Sequence, residues 1–178
     1  MLVGKILILS MVFAGFTHVK DWKVDTTNAK INFTIKGIFG KVHGHFSGLK
    51  ARIHFDEGDL AASTMSASVD AKTISTGIDL RNSDLRKKEE WFNVEKYPTV
   101  SFKSEKFEKT TNGYQVKGYL TIKGISKSIV IPFTFDDKHS AGIFNGKFSI
   151  QRKDFNLGKP GGSVGSIITV ELSVPATS

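Results

Sequence analysis

Arg152 and Asp154 are the residues best placed to do chemistry in this chain. They stand two apart at the end of an alternating run, so on a strand they would share a face. An Arg there suits a phosphate or other anionic headgroup, which it grips through two parallel N–H bonds. An ion pair between the two residues at the rim is the other reading, because buried charge must be partnered. His43 and His45 share the same spacing and could supply part of a metal site. No acidic residue or further His lies near them in sequence, so no metal is expected. His18, His54 and His139 read as surface residues. Lys159-Pro160-Gly161-Gly162-Ser163-Val164-Gly165 is glycine-rich, but it lacks the phosphate-loop spacing and no helix follows it. It reads as a loop near one end of the fold. No Ser-His-Asp or paired-carboxylate arrangement stands out, so no catalytic residue is assigned and the chain is not read as an enzyme. There is no cysteine, which excludes a thiol nucleophile, a thiolate metal site and a disulfide framework.

The elements that must position these groups are strands. Ile31, Phe33 and Ile35 alternate with polar neighbours, and so do Ala51, Ile53 and Phe55. Met65, Ala67 and Val69 repeat the pattern, as do Val100 and Phe102, then Val116, Gly118, Leu120 and Ile122. Further along come Ile129, Ile131, Phe133 and Phe135, then Phe144, Gly146, Phe148 and Ile150, and finally Ile168, Val170, Leu172 and Val174. One apolar and one polar face per segment is the mark of antiparallel sheet with one wet side. Asn112-Gly113 and Lys123-Gly124 sit between such runs and predict tight hairpins. Pro132 falls on the outer face, which suggests an edge or a bulge. Residues 79–98 break the pattern, with a helix of two to three turns read near 83–92. Ser83 or Asn82 as cap and Asp84 in the first turn predict a short helix there, and Pro98 prevents a long one.

This inventory predicts an all-β fold: an extended antiparallel barrel of about eight strands with one short helix, or else a two-sheet sandwich. Even spacing and closure favour the barrel. Its interior lining is read as Phe33, Ile35, Phe46, Ile53 and Phe55 from the first half. Met65, Ala67, Val69, Phe102 and Leu120 follow, with Phe133, Phe144, Gly146, Phe148, Ile150 and Val170 from the second half. Small residues among large ones, such as Ala51, Ala67, Gly118 and Gly146, either open a channel or let large neighbours interlock. An open channel would hold a long apolar molecule by desolvation. The inward placing of the Phe residues argues against stacking on nucleic-acid bases.

The net charge of +8 is compatible with a basic soluble surface and with transient contact at an anionic membrane surface. Residues 1–20 read as a secretory signal peptide: Lys5, an apolar run from Ile6 to Phe13, then Ala14 and Gly15. The mature start falls between Gly15 and Asp21, leaving 21–178 as one domain.

Several stretches resemble the YceI-like, polyisoprenoid-binding family. They are Trp22-Lys23-Val24-Asp25 with Ile31-Asn32-Phe33, Gly44-His45-Phe46-Ser47-Gly48, Ile74-Ser75-Thr76-Gly77 and Arg81-Asn82-Ser83-Asp84-Leu85. The stretch from Trp91 through Ser104 is a close match to the family's most distinctive segment. Gly118 through Lys127 is similar to its central hairpin, and Gly146 through Phe155 to its last motif. The resemblance spans about residues 21–174, with one departure at Lys87-Lys88-Glu89-Glu90. It implies a lipocalin-like barrel with an apolar tunnel for isoprenoid chains such as quinone tails or polyprenyl phosphates. It also implies a periplasmic location and no cofactor beyond that non-covalent lipid. A homodimer, a lipid-modifying enzyme and a solid barrel acting as a stress or interaction module remain open at this point.

Overall fold

Alternating strands with an apolar face close on themselves when the sheet has enough of them, because closure removes both edges. The computed structural model describes residues 20–138, 140–159 and 164–178. Residues 1–19 of the stretch read as a signal peptide, His18 among them, lie outside the described residues, as do His139 and Pro160 to Ser163. The described residues form ten strands: β1 (Asp21–Val24), β2 (Lys30–Gly37), β3 (Gly40–Phe46), β4 (Lys50–His54), β5 (Thr64–Asp70), β6 (Thr99–Thr110), β7 (Gly113–Ile122), β8 (Ile125–Lys138), β9 (Ala141–Gln151) and β10 (Ile167–Thr177). All pairings are antiparallel. The order β1-β4-β5-β6-β7-β8-β9-β10 closes through β1 and β10 into an eight-stranded ring, and the β2–β3 hairpin extends the wall from β10.

The two hairpins expected at Asn112-Gly113 and Lys123-Gly124 form. Gly113 has φ +130°, and Lys123 and Gly124 have φ +54° and +74°. Two successive left-handed residues are what a two-residue turn matched to strand twist requires. Pro132 is exposed, as expected, and lies where β8 parts from β9. The β8–β9 ladder runs from Phe133 to Lys138, while β8 keeps pairing with β7 on its other side as far as Ile125. A residue without an N–H fits where that ladder ends. A 3₁₀ turn (Arg152–Phe155) packs against β8 beyond this point.

The helix departs from the sequence-based reading. Helix α1 spans Asp79–Lys87, with Ile78 at the N-cap and no side-chain cap. Asn82 is inside the helix and buried, and its Oδ1 accepts from the N–H and hydroxyl of Thr76, both at 2.8 Å. The cap residues of the sequence reading therefore tie down the preceding segment instead. The helix stops early because Phe92 and Val94 turn back and donate to the carbonyls of Leu85 and Arg86.

One end of the ring is filled with aromatic rings. Phe55 is 1% exposed and has the rings of Phe107, Tyr114, Phe133, Phe135 and Phe144 at centroid distances of 5.2–5.8 Å. Trp22 closes the cluster edge-on to Phe135 at 4.8 Å, and its indole N–H donates to the Phe55 carbonyl at 3.0 Å. Each such ring pair adds about 0.5–1.5 kcal/mol beyond burial alone. At the far end β3 lacks a ladder partner on its outer side. His45 and Ser75 exchange backbone hydrogen bonds there, at 2.9 and 3.0 Å, which brings the segment before α1 against the wall.

Candidate ligand-binding site

Between the aromatic end and α1 lies a cavity of about 410 Å³. Every strand except β1 delivers inward residues to it: Phe33 and Ile35 from β2, Phe46 from β3, Ile53 from β4, and Met65, Ala67 and Val69 from β5. Phe102 comes from β6, Leu120 from β7, Phe133 from β8, Phe144, Gly146, Phe148 and Ile150 from β9, and Val170 from β10. These fifteen sequence-predicted positions come together around one space.

Phe55 is the correction among the lining residues. It lies in the aromatic cluster and closes the blind end rather than lining the bore. Gly118 does not border the space either. A Cβ there would meet the Phe102 ring at 2.6 Å and the Lys103 carbonyl at 2.4 Å, so the glycine admits a neighbouring ring. At Gly146 a Cβ would meet nothing closer than 3.4 Å. The two outcomes foreseen for small inward residues therefore both occur, at different strands.

Arg152 and Asp154 do not form the expected ion pair. Asp154 is exposed, and neither residue borders the cavity. Arg152 is 2% exposed and gives its N–H groups to carbonyls: Nε to Gly165 at 2.9 Å, Nη1 to Leu157 at 2.6 Å and Lys159 at 3.4 Å, Nη2 to Val164 at 3.1 Å and Lys159 at 3.4 Å. Its charge is met by carbonyl dipoles of the loop, and the side chain acts as a clasp. His43 and His45 are both exposed on one face of β3, and His43 Nδ1 lies 3.1 Å from Thr34 Oγ1. Among the described residues no group of three His, Asp or Glu gathers as a metal site would require.

Sequence reasoning missed the polar end of the cavity. Thr76, Arg81 and Asp84 border it, beside the apolar Leu85, Trp91 and Phe92. The i, i+3 spacing of Arg81 and Asp84 on one helix face was the signal that could have found them. Asp84 also accepts from Lys88 Nζ at 2.7 Å, and Arg81 is the one cationic side chain among the described residues that border the cavity. The residues that depart from the family pattern fasten this region. The Glu89 carbonyl accepts from Lys123 Nζ, and the Glu90 carbonyl from the Gly158 N–H. Phe92 meets Phe46 at 5.7 Å, so the aromatic pair closes one side of the cavity as packed wall.

At the blind end Tyr114 donates to a Glu57 carboxylate oxygen. That hydrogen bond, with burial, pushes the phenol up from 10.0 to about 12. The folded pKa lies above the unfolded one, so the contribution to stability is whole below pH 10 and lost as pH rises to about 12. Wild-type denaturation midpoints are therefore expected to fall more steeply across that interval than those of Tyr114→Phe. Parallel slopes would show that the hydrogen bond does not persist in solution.

A closed antiparallel barrel whose bore is packed with aromatic rings at one end and bordered by Thr76, Arg81 and Asp84 at the other defines the lipocalin-like class of internal-cavity proteins. Within that class the chain belongs to the YceI-like domain family, whose model matches residues 22–176. The chain is 28% identical to a UPF0312 protein of Yersinia enterocolitica over 183 residues, covering 97% of this chain and 94% of that one. Among solved structures it is similar to BcnA of Burkholderia cenocepacia, with a TM-score of 0.82 and 26% identity, covering 87% of this chain and all of that one. It shares its fold with a polyisoprenoid binding domain from Saccharophagus degradans, at a TM-score of 0.69 and 15% identity over 88% of this chain and 98% of that one.

Proposed function

We propose that the protein binds and carries an isoprenoid or similar long-chain lipid, with the chain in the bore and the headgroup at Thr76, Arg81 and Asp84. The observation that carries this reading is the cavity itself: about 410 Å³, apolar from Phe133 to Ile35, with its polar residues gathered mainly at the α1 end. That volume falls within the ordinary range for small-molecule sites. Along β10 the lining runs from Val174 to Ile168, roughly 20 Å of strand, so the space suits a linear chain. Such a ligand is held by removing its methyl and methylene groups from water. The fold shared with a polyisoprenoid binding domain supports the reading. Binding without turnover is the function we assign, because the bore offers a reaction few polar groups. With residues 1–20 read as a secretory leader, we assign this activity to the periplasm.

Mass spectrometry of an organic extract from natively purified protein tests the proposal. A long-chain lipid in stoichiometric amount is expected. Protein that emerges empty, and that binds neither quinones, polyprenyl phosphates nor fatty amides, would refute it.

A further inference from the structure

Of the eight large apolar side chains exposed among the described residues, Tyr119, Val130 and Ile143 stand on the barrel wall. The other five are Ile38, Phe39, Ile78, Leu80 and Ile167, and the topology places them all at the mouth. Ile38 and Phe39 form the tip of the β2–β3 hairpin, between Gly37, which lines the cavity, and Gly40. Ile167 falls level with Lys36, because Ile168 pairs with Ile35. Ile78 and Leu80 open α1, just after Thr76 at the cavity edge. The antiparallel bridge from Ser75 to His45 directs the chain that follows back along β3 towards the hairpin tip.

The tip goes against ordinary turn chemistry. Neither Ile38 nor Phe39 has a positive φ, so nothing in the backbone calls for these types there. Two further hairpins turn through Thr111-Asn112 and Lys123-Gly124, which are polar or glycine. Phe39 is 101% exposed and Ile38 66%. The flanking charges are equally unfavourable in the isolated protein. Lys36 and Lys41 are directly opposed across the hairpin, where like charges repel, and neither has an acidic partner among the described residues. An apolar tip between two uncompensated lysines has one complementary partner: apolar chains beneath a layer of negative charge. Asp79 lies between Ile78 and Leu80, so the hairpin, with only lysines beside it, makes the deeper contact.

We propose that the mouth end docks on an anionic phospholipid surface, with Ile38 and Phe39 inserted at the acyl boundary and Lys36 and Lys41 against the phosphates. Docking in this pose turns the cavity towards the bilayer. It does not depend on which molecule the bore holds.

Co-sedimentation with vesicles tests this, using phosphatidylcholine alone and phosphatidylcholine carrying phosphatidylglycerol. Wild-type protein is expected to sediment only with the anionic vesicles, less so at high salt. Lys36→Glu and Lys41→Glu should each weaken this by about fivefold or more, and Phe39→Ser by about tenfold. Uptake of ubiquinone from detergent solution should be unchanged in all three, which separates this proposal from the assignment of the bore. The proposal is overturned by equal binding to both vesicle types, by no binding to either, or by variants that sediment like wild type. Concentration-dependent self-association that Phe39→Ser abolishes would also overturn it, in favour of a second copy of this chain.

Discussion

Ala67→Phe is expected to stop ligand uptake while making the protein more stable. Ala67 lies on β5 between Ala51 of β4 and Phe102 of β6, all three facing the bore. A phenyl ring there enters space that the protein's own side chains leave empty. Filling an apolar void recovers contacts and buries apolar surface, typically about 1–2 kcal/mol. For a domain of this size that is about 3–6 °C in the unfolding midpoint. The same ring occupies the path of the ligand, and forcing a chain past it costs about a hundredfold in affinity. The opposite signs are the diagnostic. A merely damaged barrel would lose both stability and binding, whereas a blocked bore loses binding alone. Trp91 lines the cavity, so quenching of tryptophan emission by ubiquinone reads uptake directly. Unchanged quenching together with a higher midpoint would place the ligand somewhere other than the bore.

Removing the Arg152 guanidinium should have the largest effect on stability of any single change outside the aromatic cluster. The side chain is almost wholly buried and bonds carbonyls on both sides of the 160–163 stretch: Leu157 and Lys159 before it, Val164 and Gly165 after it. Arg152→Met keeps much of the bulk but strands those carbonyls without donors. Each buried orphan costs about 1–3 kcal/mol. A loss of about 3–5 kcal/mol is expected, lowering the midpoint by about 10 °C or more. Arg152→Lys should recover little, since one ammonium cannot span a fork of donors. Proteolytic cleavage within 157–166 should rise in both variants. A Lys variant as stable as wild type would show that the charge, rather than the five-donor geometry, holds the loop. Leu157 and Val164 both line the cavity, so the loop this residue clasps is also part of the binding site.

The strand faces were legible in the sequence because side chains alternate strictly along a strand. Phe33, Ile53, Phe102, Phe144 and Ile150 could be assigned inward without knowing any partner strand. Which inward residues border empty space was not legible. Gly118 and Gly146 have the same local pattern, yet one receives the Phe102 ring and the other faces the bore. Phe33 and Phe55 are both inward aromatics, yet one lines the cavity and the other seals its end. The difference comes from pairing register and from where rings of several strands converge, which single-strand periodicity does not encode.

The charged residues divide in the same way. The spacing of Arg152 and Asp154 suggested a shared task, but the strand ends at Gln151 and a 3₁₀ turn sends the two side chains to different surroundings. Asn82 and Ser83 carried the right chemistry for a helix cap, but Asn82 caps nothing and bonds Thr76 within the preceding turn. Residue order alone was enough to specify an all-β chain with one apolar face per strand, two tight hairpins and a short helical interruption. Those features follow from neighbours a few residues apart, through φ preferences and side-chain alternation. It takes the folded barrel to pack one end of the tube with rings, to gather polar residues at the other, and to set the apolar hairpin tip and its paired lysines at that polar end. Such features depend on residues far apart in sequence meeting in space, and no local rule of backbone or polarity carries that information.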